Sequence, residues 1–144
     1  MSTTPRESVP FELAPVDGVS TRARLIGRIL SGIAVLFLAV DLTVKLVGVK
    51  AAVDGTVQLG WQPHHLPILG LIQLGCLVLY LIPRTAPLGA VLWTGYFGGA
   101  VATHLRLDNP LFTHILSPTY VAAFLWVGLY LRDPRVRGLL RPAR

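Results

Sequence analysis

Charge along this chain is confined to a few short segments. No Lys, Arg, Asp or Glu occurs between Asp54 and Arg84, between Arg84 and Arg106, or between Asp108 and Arg132. A helix that crosses a bilayer needs roughly 20 mainly apolar residues. The charge-free stretches therefore predict spans at about 66–82, 88–105 and 115–131. An earlier apolar run, Ile29–Val40, predicts another span at about 26–47, with Asp41 and Lys45 near its far end. No small-residue cleavage site follows that run and a charged pair does, so it reads as an uncleaved span rather than the core of a signal peptide. The composition agrees, with 14% charged and 53% hydrophobic residues and a mean hydropathy of +0.62. A soluble domain carries about 25% charged residues. The expected fold class is all-α, an integral membrane four-helix bundle over residues 22–137, flanked by a disordered, Pro-containing tail (1–21) and a basic C-terminal tail (138–144).

The basic residues orient this bundle. Arg6, Arg22, Arg24 and Arg28 precede the first span, Arg84 sits between the second and third, and Arg132, Arg135, Arg137, Arg141 and Arg144 follow the fourth. Four spans put all of these on one side, which the positive-inside bias makes cytoplasmic, so both termini are expected inside. The net charge of +6 is then a set of membrane flanks facing anionic headgroups, and nucleic acid is not an expected partner. Pro83-Arg84-Thr85-Ala86-Pro87 reads as a tight turn that makes the second and third spans antiparallel neighbours. Ala51–Leu59 reads as a short interfacial helix ending at Gly60. Trp61 and Trp93 fit an aromatic belt at the headgroups. A single Cys, Cys76, excludes an internal disulfide and reads as a mid-span filler.

Ionisable groups inside a span cost about 2.5–3.5 kcal/mol at mid-helix on insertion scales. Asp41 and Lys45 are four apart and share a face, so they can pair. Asp41 lies 15 residues after Ile26, roughly 22 Å from the inner edge of a core about 30 Å thick. A stripe of Gly27, Ser31, Ala34, Leu38, Asp41, Lys45 and Gly48 leads to the pair and is expected to face neighbouring helices. Gly95, Gly99 and Thr103, with Gly98 and Ala102 alongside, form a second expected packing stripe. Gln73 lies mid-span on a line with Leu66, Gly70, Leu77 and Tyr80, either joining helices or lining a cavity. Asp41, Lys45, His64, His65, His104, Arg106, Asp108 and His114 all fall toward the outer side, so polar chemistry should gather there. The candidate pocket comprises Asp41, Lys45, Gln73, Thr103, His104, Arg106 and His114. Haem between His104 and His114 is disfavoured, because no two His lie deep in two spans. No metal is assigned to His64, His65, His104, His114 and Asp108.

Several segments together resemble the DoxX-like family of small bacterial membrane proteins. They are Tyr80-Leu-Ile-Pro-Arg-Thr-Ala-Pro-Leu-Gly-Ala90, Thr94-Gly-Tyr-Phe-Gly-Gly-Ala-Val-Ala-Thr-His-Leu-Arg106, Pro110-Leu-Phe-Thr-His114 and Trp126-Val-Gly-Leu-Tyr-Leu-Arg-Asp133. Asp41 to Leu46 and Gly60-Trp61 look similar too. The resemblance covers about Leu25–Arg137 and implies a four-helix protein of the bacterial inner membrane. The wider group includes subunits linked to quinol oxidation, thiosulfate:quinone oxidoreduction and oxidative-stress complexes. Relatives often carry an acidic residue near the position of Gln73, so the amide here weakens any proton relay along that helix.

Three functions follow as expectations. One is an accessory subunit supporting a membrane redox partner. Another is a binding or catalytic bundle for a quinone-like lipophilic molecule, with Asp41 as acid or base, Lys45 tuning it and His104 bonding a carbonyl. The last is a small transporter, which would need a homo-oligomer because four spans are few for an inverted repeat. The charge asymmetry itself is testable by cysteine labelling in a Cys76→Ala background. On intact cells a membrane-impermeant maleimide should modify Asp108→Cys and spare Arg84→Cys. Equal labelling of both would refute the orientation.

Overall fold

The computed structural model describes residues 19–140. Most of the expected disordered tail and the last four residues of the basic tail lie outside the described residues. Six α-helices occur and no strand is present among the described residues: α1 Thr21–Val47, α2 Lys50–Gln58, α3 Leu66–Leu81, α4 Ala86–Arg106, α5 Ser117–Arg132 and α6 Pro134–Leu140. A 3₁₀ turn at Pro63–His65 leads into α3, and a π turn at Leu111–Ile115 leads into α5.

Local chemistry sets these boundaries. The Ser20 hydroxyl accepts from the Ala23 N–H at 3.2 Å and caps α1. At the other end Gly48 adopts φ 73°. Its N–H donates to the Lys45 carbonyl at 3.3 Å while the Val49 N–H donates to Val44 at 3.1 Å, a Schellman arrangement that only a left-handed residue completes. Pro118 lacks an N–H, so it cannot donate to the His114 carbonyl. The Ser117 hydroxyl donates there instead at 3.0 Å, and the π turn ends where α5 begins. Asp133 caps α6 by accepting from the Arg135 N–H at 2.9 Å. The Arg135 side chain bonds the same carboxyl and holds it below the usual carboxylate range, more than offsetting its partial burial. This contribution to stability is present above the ordinary Asp pKa and is lost as pH falls through the lowered value.

The four long helices pack in a cycle: α1 against α5, α5 against α4, α4 against α3, and α3 against α1, with α1–α5 the most extensive contact. Small residues set the closest approaches. A Cβ on Gly27 would lie 2.7 Å from the Gly128 carbonyl oxygen, and one on Gly128 would lie 2.8 Å from the Ser31 nitrogen. A Cβ on Gly89 would collide with the Tyr80 backbone. The Tyr80 hydroxyl donates to the Leu125 carbonyl at 2.9 Å. Having given up its one proton, it accepts from the Ser31 hydroxyl at 3.0 Å, and this relay ties α1, α3 and α5 together.

The core holds Leu38, Cys76, Leu77, Tyr80, Trp93, Phe97, Leu125 and Leu129. Trp93 is fully buried and stacks on Phe97 with centroids 5.1 Å apart, so it is a core residue rather than the headgroup anchor expected. The second packing stripe is also corrected. A Cβ on Gly95, Gly98 or Gly99 would meet nothing within 4 Å, so these glycines join no helices in this chain. Large apolar side chains instead face outward on every long helix, including Phe37, Leu71, Val91 and Val127. Apolar surface of that extent is compatible with lipid and not with water. Among the described residues three segments are long and apolar enough to cross a membrane: Thr21–Val47, Pro63–Leu81 and Leu111–Arg132. The 21 residues of α4 rise about 31 Å, but its glycines and threonines dilute its hydropathy.

Packing at the glycines gives a direct contrast. Gly128→Leu and Gly89→Leu should each destabilise the protein by about 1–3 kcal/mol or more through overpacking, read as a lowered unfolding midpoint in detergent. Gly98→Ala should leave that midpoint unchanged or slightly raised, since Ala favours helix over Gly.

Candidate binding cavity

Asp41 sits where the small-residue stripe of α1 leaves the core. Steps of four and three average 3.5 residues per turn, so such a stripe drifts about 20° per heptad around a straight helix. Gly27, Ser31, Ala34 and Leu38 are buried, but the next core position is Leu42. Asp41 and Lys45 are carried to the edge of the buried face, with side chains 34% and 18% exposed, and Gly48 ends outside it. The pair thus borders both protein and open space.

One carboxylate oxygen receives two donors. Asp41 Oδ2 accepts from Lys45 Nζ and from Gln73 Nε2 at 2.7 Å. Gln73 is 1% exposed. Because an ionised carboxylate only accepts, it fixes the amide with its nitrogen toward Asp41. The amide oxygen is then turned into the core, where it has no partner. Gln73 therefore both joins α1 to α3 and backs the carboxylate, while lying behind the cavity wall.

In front of that wall lies an open cavity of about 620 Å³ lined by Asp41, Lys45, Thr56, His104, Asn109 and His114 among others. An adjoining slot of about 310 Å³ shares Lys45, Thr56, Leu59 and His104 with it and runs between Trp61, Leu69, Gly95, Tyr96, Gly99 and Ala100. Both spaces are lined mainly by apolar groups, and the first also carries the Asp41–Lys45 pair, His104, Asn109 and His114. Gly95 and Gly99 make the slot, because their missing side chains leave the room. Helix α2 roofs both. Its carbonyl end is held by Arg106, whose Nη2 donates to the Leu59 carbonyl at 3.1 Å.

Two histidines close the polar end. The rings of His104 and His114 meet edge to face at 5.8 Å, a contact that leaves no gap for a flat macrocycle between them. The Asn109 amide nitrogen lies 3.0 Å from His104 Nδ1. An amide nitrogen only donates, so Nδ1 accepts and a neutral His104 carries its proton on Nε2. Asp108 at φ 49° makes the turn that folds Asn109 back onto α4. Among the described residues, no group of three or more His, Cys, Asp or Glu side chains converges to hold a metal ion.

The structure thus gathers Asp41, Lys45, His104 and His114 around one cavity and adds Thr103 to the slot. Thr103 spends its hydroxyl on the Gly99 carbonyl at 2.9 Å. Arg106 lies outside both spaces and serves as a clamp on α2, a correction to its place among the pocket residues. His64, His65 and Asp108 lie outside them too. Asn109, Thr56 and Tyr96 were missed. Only Asn109 had a local signal, in the Asp-Asn-Pro turn after α4.

A family model described as the DoxX-like family matches residues 29–128, from within α1 to within α5. The chain belongs to the DoxX-like family. No curated protein and no solved structure matches it. The match and the outward apolar faces make this DoxX-like chain a membrane protein, and the matched region includes Asp41, Lys45, Gln73, His104 and His114.

Removing one charge tests the coupling around Asp41. Lys45→Met strands a partly buried carboxylate and should lower stability by about 1–3 kcal/mol, below the 3–5 typical of a fully buried pair. Adding Asp41→Asn should restore much of that loss in thermal unfolding. Strictly additive effects would mean the two groups are not coupled.

Proposed function

We propose that this DoxX-like protein crosses the bacterial inner membrane four times, with both termini cytoplasmic, and binds the head of a quinone-like lipophilic molecule in its outer cavity. The observation that carries the binding reading is one continuous lining. A Lys–carboxylate pair and two histidines stand among apolar side chains in the lining of the larger space, and that space adjoins a slot lined by Leu69, Gly95, Gly99 and Ala100. An amphiphile with a carbonyl-bearing head and an apolar tail fits that division. Lys45 donates to a carbonyl oxygen, Asp41 accepts from a hydroxyl, and His104 Nε2 offers a second donor. The tail lies along Gly95, Gly99 and Ala100. A supporting role for a membrane redox partner then consists of holding or presenting such a molecule.

Four crossings are supported by the length of α4 and by its packing between α3 and α5. The orientation is supported by the charges at one end. The cleft that Arg24 and Arg28 line there is also lined by Pro83 and Arg132, and Arg135 donates to the Pro83 carbonyl. The starts and ends carrying the arginines therefore lie together.

Decylubiquinone is a suitable probe, because quinones quench tryptophan and Trp61 lines the slot. Quenching of the purified protein should saturate. Lys45→Met should weaken the apparent affinity about tenfold or more, the value of a lost charge-assisted hydrogen bond. Gly99→Leu should block the slot without disturbing the fold, since nothing lies within 4 Å of its Cβ position. Unsaturable quenching that is equal in all three proteins would overturn the reading.

A further inference from the structure

The inner end of the bundle carries a second cleft, of about 200 Å³, lined by Arg24, Arg28, Pro83, Leu129, Arg132 and Asp133 among others. Arg24 and Arg28 are four apart on α1 and share a face. Arg132 ends α5 and faces them across the cleft. Its guanidinium lies over the Tyr80 ring, 5.1 Å from the centroid, and its Nε is buried with no partner. The one carboxylate in the cleft, Asp133, is already held by Arg135 through contacts of 3.1 and 2.7 Å. Among the described residues the ion pairs are Asp41–Lys45 and Asp133–Arg135, so none of the three cleft arginines is neutralised by them.

Three guanidiniums line one cleft, and among the described residues none of them has a carboxylate within ion-pair distance. Asp133, which Arg132 also stabilises electrostatically, offsets part of their charge, and planar forked donors suit a tetrahedral oxyanion. We infer that this cleft binds a single phosphate group, carried by an anionic phospholipid of the inner leaflet or supplied as free phosphate. The place favours the lipid. The cleft lies where α1 begins and α5 ends, beyond their apolar stretches, which is where a bilayer around these helices would put its headgroups, and basic pockets between helices on the cytoplasmic side bind such heads. Arg132 approaches from the core side, so the phosphate is gripped from within the bundle as well as from the surface. This assignment is independent of the outer cavity; it rests on α1 and α5 crossing the bilayer with these ends on the inner side.

Native mass spectrometry of the full chain, released from detergent containing equal phosphatidylglycerol and phosphatidylcholine, reads this directly. The protein should retain one phosphatidylglycerol in preference to phosphatidylcholine. Arg28→Gln and Arg24→Gln, both on exposed side chains, should each reduce that preference about tenfold. Arg132→Gln should do the same, and Arg22→Gln, outside the cleft, should leave it intact. Retention in millimolar inorganic phosphate identifies the lipid as the source, whereas displacement identifies phosphate itself. Unchanged retention in all three cleft variants, or equal loss in Arg22→Gln, would overturn the site.

Discussion

Where Gly27 meets Gly128, α1 and α5 approach until backbone touches backbone. Helices surrounded by lipid gain little from the hydrophobic effect on association, so close contact and hydrogen bonding must hold them. Small residues permit the contact, and the Ser31–Tyr80–Leu125 relay adds the hydrogen bonds one turn away. The half of the bundle around the start of α1 and the end of α5 is thereby drawn tight. The opposite half is not, because the same stripe rotates off the core by the level of Asp41. The cavity is a consequence of that drift, enlarged by glycines on α4 that have no partner helix.

Polar groups follow the same accounting. Asp41, Lys45 and Gln73 satisfy one another in a setting of low dielectric, where an unpaired group is costly. The arrangement is incomplete, since the Gln73 amide oxygen and the Trp93 indole nitrogen are buried without partners. Fixing the amide toward the carboxylate holds Asp41 in place at the cavity edge, at the expense of that orphaned oxygen. Asp41 is thus held from behind by Gln73 and borders the cavity in front.

Much of this was legible along the chain. Charge-free runs placed α3, α4 and α5 to within a few residues, and proline and glycine marked their turns. The pairing of Asp41 with Lys45 followed from a spacing of four. Other inferences failed where the same local pattern has two outcomes. Gly95 and Gly99 have the spacing of a packing motif, yet they floor a cavity, because no helix lies against that face. Trp93 has the position of a headgroup anchor, yet it fills the core, because α4 turns its face with Trp93 and Phe97 into the buried cluster that includes Leu77 and Leu125. Arg106 has the chemistry of a pocket residue, but its reach takes it to the end of α2.

The sequence by itself determined where helices begin and end, which segments avoid water and which ends carry positive charge. Those properties depend on residues close in the chain and on transfer between water and lipid. Only the tertiary structure decided which small residues touch, which histidines meet and where space remains. In a bilayer every helix face is apolar, so hydrophobicity no longer distinguishes inside from outside. The choice of face falls to shape and hydrogen bonding between segments distant in sequence.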